Sequence, residues 1–199
     1  MAFTGNYAVM EEKNYTVVTF EGQDLTKEDL SATTFDECTF INCRLAEANL
    51  SGSHFIDCNF RNCDLTMVKL SGTLFQQVDF FSCKIMGLDF SECNQLLLAF
   101  SFEKCILDFT FFGKLKIKNT LFKDCSLKDA NFTGTDLTRA VFRNCDLENA
   151  VFMRADLAGA DFTTAMNIIL DPEQNHLKKA RFSLEGIAGL LQKYDIIIE

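Results

Sequence analysis

Starting at Phe20 and stepping by five, the chain places Phe, Leu or Ile at fifteen successive positions: Phe20, Leu25, Leu30, Phe35, Phe40, Leu45, Leu50, Phe55, Phe60, Leu65, Leu70, Phe75, Phe80, Ile85 and Phe90. The register then slips by two and thirteen more such residues follow, from Phe102 and Leu107 to Leu157 and Phe162. Composition alone does not produce this run. A short strict repeat means equivalent units stacked so that each touches only its neighbours.

Two residues before each of these centres sits a second set, mostly small: Val18, Thr33, Cys38, Cys43, Ala48, Ser53, and later Ala130, Thr135, Ala140, Ala150 and Ala160. A separation of two puts both side chains on one face of an extended segment and turns the residue between them outward. The following pair, such as Ser51-Gly52 or Thr133-Gly134, suits a corner. Each pentad is one short side of a coil, with a large plug and a small filler facing inward. The order Phe-Phe-Leu-Leu repeats after twenty residues, so four sides make a turn, and about seven turns at ~4.8 Å each give a rod on the order of 35 Å long. Side chains fill its interior, which leaves no internal pocket. Fifteen of the 21 Phe residues, against three Tyr and no Trp, are plugs.

The nine cysteines, at 38, 43, 58, 63, 83, 93, 105, 125 and 145, all occupy the filler slot. Stacked columns spread sulfurs along an axis, whereas a metal needs them around one point. They are expected to be free, buried and small. His54 and His176 are isolated, no phosphate-binding glycine loop occurs, and the aspartates at repeat positions are dispersed, so no catalytic, cofactor or metal site is expected.

A net charge of −9 argues against direct nucleic-acid binding and for a basic partner. The excess is confined to the N-terminal coils: residues 18–92 hold twelve acidic and five basic residues, and residues 100–170 hold nine of each. Asp24, Asp29, Asp36, Glu47, Asp57 and Asp64 are therefore candidate partner-binding residues. Phe109 and Phe111, at outward positions of the repeat, are further candidates. The N-terminus has no leader pattern and no stretch reaches the ~18 apolar residues of a membrane span, so a cytoplasmic protein is expected.

Residues 1–17 read as a lead-in, 18–169 as the coil, with a bulge at 93–99 that leaves Gln95 or Leu97 near the missing centre, and 170–199 as a C-terminal turn, a last repeat, a helix and a tail. Ser183 can cap a helix whose Leu184, Ile187, Leu191 and Tyr194 share a face. Ile196, Ile197 and Ile198 read as a short β-prone end that a second copy could cover, which makes Leu184, Ile187, Leu191, Tyr194, Ile196 and Ile198 the candidate dimer interface.

The repeats A-N-L-S-G (48–52), C-D-L-T-M (63–67), A-N-F-T-G (130–134), A-D-L-A-G (155–159) and A-D-F-T-T (160–164) resemble the pentapeptide-repeat family. That resemblance implies an all-β solenoid, a right-handed quadrilateral β-helix. The tail from Phe182 to Ile198, with the stretches 101–107 and 178–184, is similar to the topoisomerase-protecting branch: the Qnr-type quinolone-resistance proteins and, most of all, the albicidin-resistance type. Nothing here is long enough to match both of the projecting loops of the Qnr-type proteins. This similarity implies a non-enzymatic DNA mimic, a homodimer through its C-terminus, that binds DNA gyrase or topoisomerase IV and modulates it or protects it from fluoroquinolones or albicidin. The alternative is an interaction scaffold with an unrelated partner, for which Phe109 and Phe111 are the first contacts.

Overall fold

A computed structural model describes residues 2–4 and 13–197, and the backbone alone of 2–4. The chain winds as a right-handed, four-sided parallel β-solenoid of about eight turns, followed by a short helix. Among the described residues, ten short strands stack in one parallel sheet along the first side, from Ala2–Thr4 and Thr19–Glu21 to Asp161–Phe162 and Arg181–Phe182. Four more, Asn14–Thr16, Thr34–Asp36, His54–Ile56 and Leu74–Gln76, form a second sheet on the fourth side. The other two sides are held by isolated bridges such as Asp24 to Arg44 to Asp64. Partners differ by twenty residues, as in Phe20 with Phe40 and Phe40 with Phe60, so four pentads make each coil. Coil geometry extends ahead of residue 18, since Asn14–Thr16 pairs with Thr34–Asp36 and Tyr15 is buried.

The plugs are buried and stack on their own kind. Phe122 lies 5.4 Å from Phe102 and 4.9 Å from Phe142, near parallel, and meets Phe132 edge-on. Both arrangements suit the ring quadrupole. All nine cysteines are buried and free. Their slot also satisfies backbone: Cys63 Sγ donates to the Phe40 carbonyl at 3.4 Å and Cys83 Sγ to Phe60 at 3.4 Å, just as Ser53 Oγ donates to Leu30 and Thr73 Oγ1 to Leu50. A buried carbonyl thus recruits Cys, Ser or Thr interchangeably, with sulfur the weakest donor of the three. Burial pushes the Cys93 thiol up, reinforced by Asp89 and Glu92.

Most corners end on a residue in the left-handed region: Gly52 (φ 68°), and also Glu37 (51°), Asp57 (49°) and Phe109 (61°). Glycine and asparagine adopt it cheaply, whereas a bulky residue there is under strain. Such corners project their side chains into solvent.

The register slip does not place Gln95 or Leu97 at the missing centre, for both are exposed. The ladder instead skips ahead, and the Ala99 amide donates to the Phe75 carbonyl at 3.0 Å. Phe100 then enters from the filler slot, stacked in register on Val78 and packed 5.4 Å from Phe90 and 5.0 Å from Phe102, while Leu98 covers the core partially. One large residue in a small-residue slot replaces a plug lost from the neighbouring side.

Phe182 closes the stack 5.2 Å from Phe162. Ser183 Oγ accepts from the Gly186 amide at 3.0 Å, but only Ala188–Leu191 forms α-helix (α1), extended by a 3-10 turn through Tyr194. Gly189 lies against the backbone of Ile168 so closely that a Cβ has no room. Ile196 and Ile197 form no strand, and Ile198 lies outside the described residues.

Candidate partner-binding surface

Because coils stack in register, an outward residue's neighbour along the rod is twenty positions away, and this decides which charges are free. Asp24 pairs with Arg44 (3.1 Å), Glu47 with Lys27 (3.6 Å) and Asp64 with Lys84 (4.0 Å). Asp29 accepts from Asn49 Nδ2 and the Ser31 amide, both at 3.0 Å. Burial acts to raise the Asp64 carboxyl, but the Thr66 interaction and the Lys84 and Arg44 charges outweigh it and hold the group below its usual range. Exposed pairs of this kind contribute little to stability. Their effect on the surface potential is larger than on stability, since each hides a negative charge.

Asp36 and Asp57 behave differently. Residue 56 is Ile, and the corner residue stacked on Asp57 is Glu37, another acid. These three lie along the edge between the fourth and first sides. Asp79, outward on the first side beside that edge, adds a fourth carboxylate to Asp36, Glu37 and Asp57, and none of the four is in an ion pair among the described residues. Asp79 accepts a hydrogen bond from the Ser101 hydroxyl. Of the six acidic candidates, then, four are satisfied elsewhere and two belong to this edge. Glu37 and Asp79 join them; stepping by twenty from Asp57 finds Glu37, whereas Asp79 belongs to the column of Thr39 and Asn59.

The C-terminal coils are neutral by pairing. Lys123 bonds Glu103 (2.8 Å), Lys128 bonds Asp146 (3.1 Å) and Glu148 (2.7 Å), and Lys118 bonds Asp136 (3.1 Å).

Phe109 is 60 % exposed, whereas Phe111 is not a free surface residue: it is half-buried, its ring folded over Gly113. Phe109 instead neighbours Met67, whose sulfur lies over Gly87, and Ile106, all exposed on the edge between the second and third sides.

At the C-terminus Leu184, Ile187, Tyr194 and Ile196 are exposed, while Leu191 is half-buried and Leu190 packs on the core. A cavity of about 540 Å³ separates residues 165–169 from the tail, lined by Met166, Ile168, Ile169, Ala188 and Gly189. Lys193 ties the tail down through Asp171 (2.6 Å) and Glu173 (2.8 Å), and Tyr194 donates to Glu173 at 2.9 Å. His176 Nδ1 meets Asp156 at 3.0 Å and His54 stands alone on the surface, so neither joins a constellation. No group of three or more potential metal ligands converges among the described residues, and no helix there is long and apolar enough to cross a membrane.

The family model described as a pentapeptide repeat region matches residues 33–100 and 96–166. The chain belongs to the pentapeptide-repeat family. No curated protein sequence matches it. Among solved structures this pentapeptide-repeat protein resembles a trypsin-treated point variant of QnrB1, described as a plasmid-mediated fluoroquinolone resistance protein, with a TM-score of 0.63 and 18 % identity over 100 % of this chain and 96 % of that one. A second trypsin-treated variant of QnrB1 gives a TM-score of 0.63 and 19 % identity over 94 % of each chain. At that identity the likeness is one of fold.

Proposed function

We propose that this pentapeptide-repeat protein binds a bacterial type II topoisomerase, DNA gyrase foremost and topoisomerase IV by extension, in the place of duplex DNA, and thereby modulates it or shields it from poisons such as fluoroquinolones or albicidin. The observation that carries the reading is the edge of unpaired carboxylates, Asp36, Glu37, Asp57 and Asp79, held at coil spacing on a rigid rod. A DNA-binding groove is lined with cations placed for phosphates, and uncompensated anions at fixed spacing are what such a groove attracts. Asp24, Asp29, Glu47 and Asp64 contribute less because their charge is already met within the chain. The likeness to QnrB1 supports the same reading, as does the tail resemblance. The protein acts as a binding partner and not as an enzyme, in the cytoplasm where its target works.

The exposed Leu184, Ile187, Tyr194 and Ile196, with Leu191 and Ile198, are the proposed interface of a C-terminal homodimer, which doubles the length of the rod. Purified protein should alter gyrase supercoiling, alone or in the presence of a fluoroquinolone or albicidin. No effect at micromolar concentration in any of these arms rejects the proposal.

One observation favours a second reading. Phe109 keeps a bulky ring in solvent at a strained left-handed corner, beside exposed Met67 and Ile106. An exposed apolar cluster marks a protein contact more often than a solvated surface does, and a scaffold with an unrelated partner would use it.

A further inference from the structure

The edge that carries the free carboxylates continues past them, and its two outward columns can be followed along the whole rod. One column is the set of left-handed corner residues Val17, Glu37, Asp57, Gln77, Asn119, Arg139, Gly159 and Lys179, and in the slip coil the left-handed turn at Leu96-Leu97 bulges out beside it, two residues ahead of Ala99, the in-register member by the Phe100–Val78 pairing. Each is preceded by a member of the second column. Coil by coil, with the bulge standing for the slip coil, the pairs read Thr-Val, Asp-Glu, Ile-Asp, Gln-Gln, Leu-Leu, Lys-Asn, Thr-Arg, Ala-Gly and Lys-Lys. The apolar pair Leu96-Leu97 is the middle one. Acids lie only on its N-terminal side, and bases lie only on its C-terminal side.

That order is self-complementary under reversal. A twofold axis through Leu96-Leu97, perpendicular to the rod, sets the leucines of two antiparallel copies against each other. It brings Asp57, two coils before the axis, opposite Arg139, two coils after it, and does so twice. Gln76-Gln77 then faces Lys118-Asn119. Asp36-Glu37, three coils out, falls one coil from Lys178-Lys179, an offset of ~4.8 Å that a lysine stem spans. Leu96 and Leu97 are 66 % and 64 % exposed in the single chain, and Glu37, Asp57, Arg139, Lys178 and Lys179 are exposed too. Arg139 is oriented along the edge by its bond to Asn119 (2.8 Å).

We infer that two copies of this chain associate side by side and antiparallel along this edge, with Leu96 and Leu97 on the twofold axis and the Asp57–Arg139 pairs flanking them. An apolar centre inside a charged rim is the usual arrangement of an isologous contact. A single edge is narrow, so the contact belongs to the small, transient class and weakens with salt. It leaves the C-terminal tails at opposite ends, free for their own dimer. It covers the carboxylates assigned to the topoisomerase, so self-association and enzyme binding exclude each other.

Two measurements on the full chain test this. Leu97→Cys puts a thiol on the axis and should form an intermolecular disulfide under mild oxidation, while Phe109→Cys, on the opposite edge, should not. Sedimentation at low ionic strength should show Asp57→Arg and Arg139→Glu each weakening association at least ~10-fold and the two together restoring it. The inference is overturned if Leu97→Cys cross-links no faster than Phe109→Cys, or if the single and double charge variants associate alike. Both readouts are independent of whether the protein acts on gyrase.

Discussion

Phe100→Ala isolates the device that repairs the register slip. The ring is 6 % exposed and sits among Phe90, Phe102 and Phe112, at 5.4, 5.0 and 6.4 Å, in a slot that holds Val, Cys, Thr or Ala in the other coils. Because it does the work of a plug, its removal should cost what truncating a core Phe costs, about 3–5 kcal/mol. Neighbouring rings cannot follow it inward, since each is fixed by stacking on its own column. Val78→Ala, in the same slot one coil earlier, removes about two methylene equivalents at ~0.8 kcal/mol each and should cost about 1.5 kcal/mol. Gln95→Ala, at the exposed residue to which the step of five points, should stay within about 0.5 kcal/mol of the parent. Urea denaturation followed by circular dichroism measures all three, and a shift in midpoint at constant slope reports stability alone. A cost below about 1 kcal/mol for Phe100→Ala, or a Gln95→Ala cost matching it, would show that the missing plug is filled from elsewhere.

Three further outcomes follow from the geometry. The folded protein should leave all nine thiols unreactive toward a maleimide and expose all nine in denaturant; a thiol labelled at the rate of a free one in the native state refutes the closed interior. Phe109→Asn should hold or raise stability by up to about 1 kcal/mol, because asparagine adopts the left-handed corner more readily, and a melting temperature lowered by several degrees contradicts that. Lys193 holds the Asp171 and Glu173 carboxyls below their ordinary values. Depressed carboxyls contribute stability that is complete above their unfolded values near 4 and is lost as pH falls through the folded ones. The Lys193 ammonium is raised by the same contacts, so its share persists below about 10.4 and is lost only above that. The Tyr194 ring should therefore show one environment by NMR from pH 5 to 9 and be released only below the ordinary carboxylate range, and a release already complete at pH 5 refutes the clasp.

Much of this fold is legible because a pentad repeat has few solutions. The step of five fixes plug and filler, and the lag of twenty in Phe20, Phe40 and Phe60 fixes four sides. The slip is harder, since the step of five points to Gln95 and gives Phe100 the wrong slot. Only the backbone ladder, in which Ala99 takes up the Phe75 carbonyl, decides which of them turns inward. Phe111 is legible only in part: the repeat assigns its outward direction, but not the fold of its ring over Gly113 that leaves it half-buried. The acidic candidates mix two populations because charge summed over a region is not charge followed along columns. Asp24 and Asp36 are equivalent in composition and opposite in circumstance, one facing Arg44 and the other Ile56. The tail resists most, because a helix as short as α1 is set by its seat on Ile168 and its tether at Lys193, neither of which is periodic.

The central claim is that the carboxylate edge occupies the place of DNA on a topoisomerase, and competition tests it directly. Labelled protein bound to DNA gyrase should be displaced by duplex DNA and released by salt. Its affinity should collapse when Asp36, Glu37, Asp57 and Asp79 are changed to Lys, and largely survive the same change at Asp24, Glu47 and Asp64. Simultaneous binding of protein and duplex without mutual displacement, or equal tolerance of both charge reversals, would contradict the account.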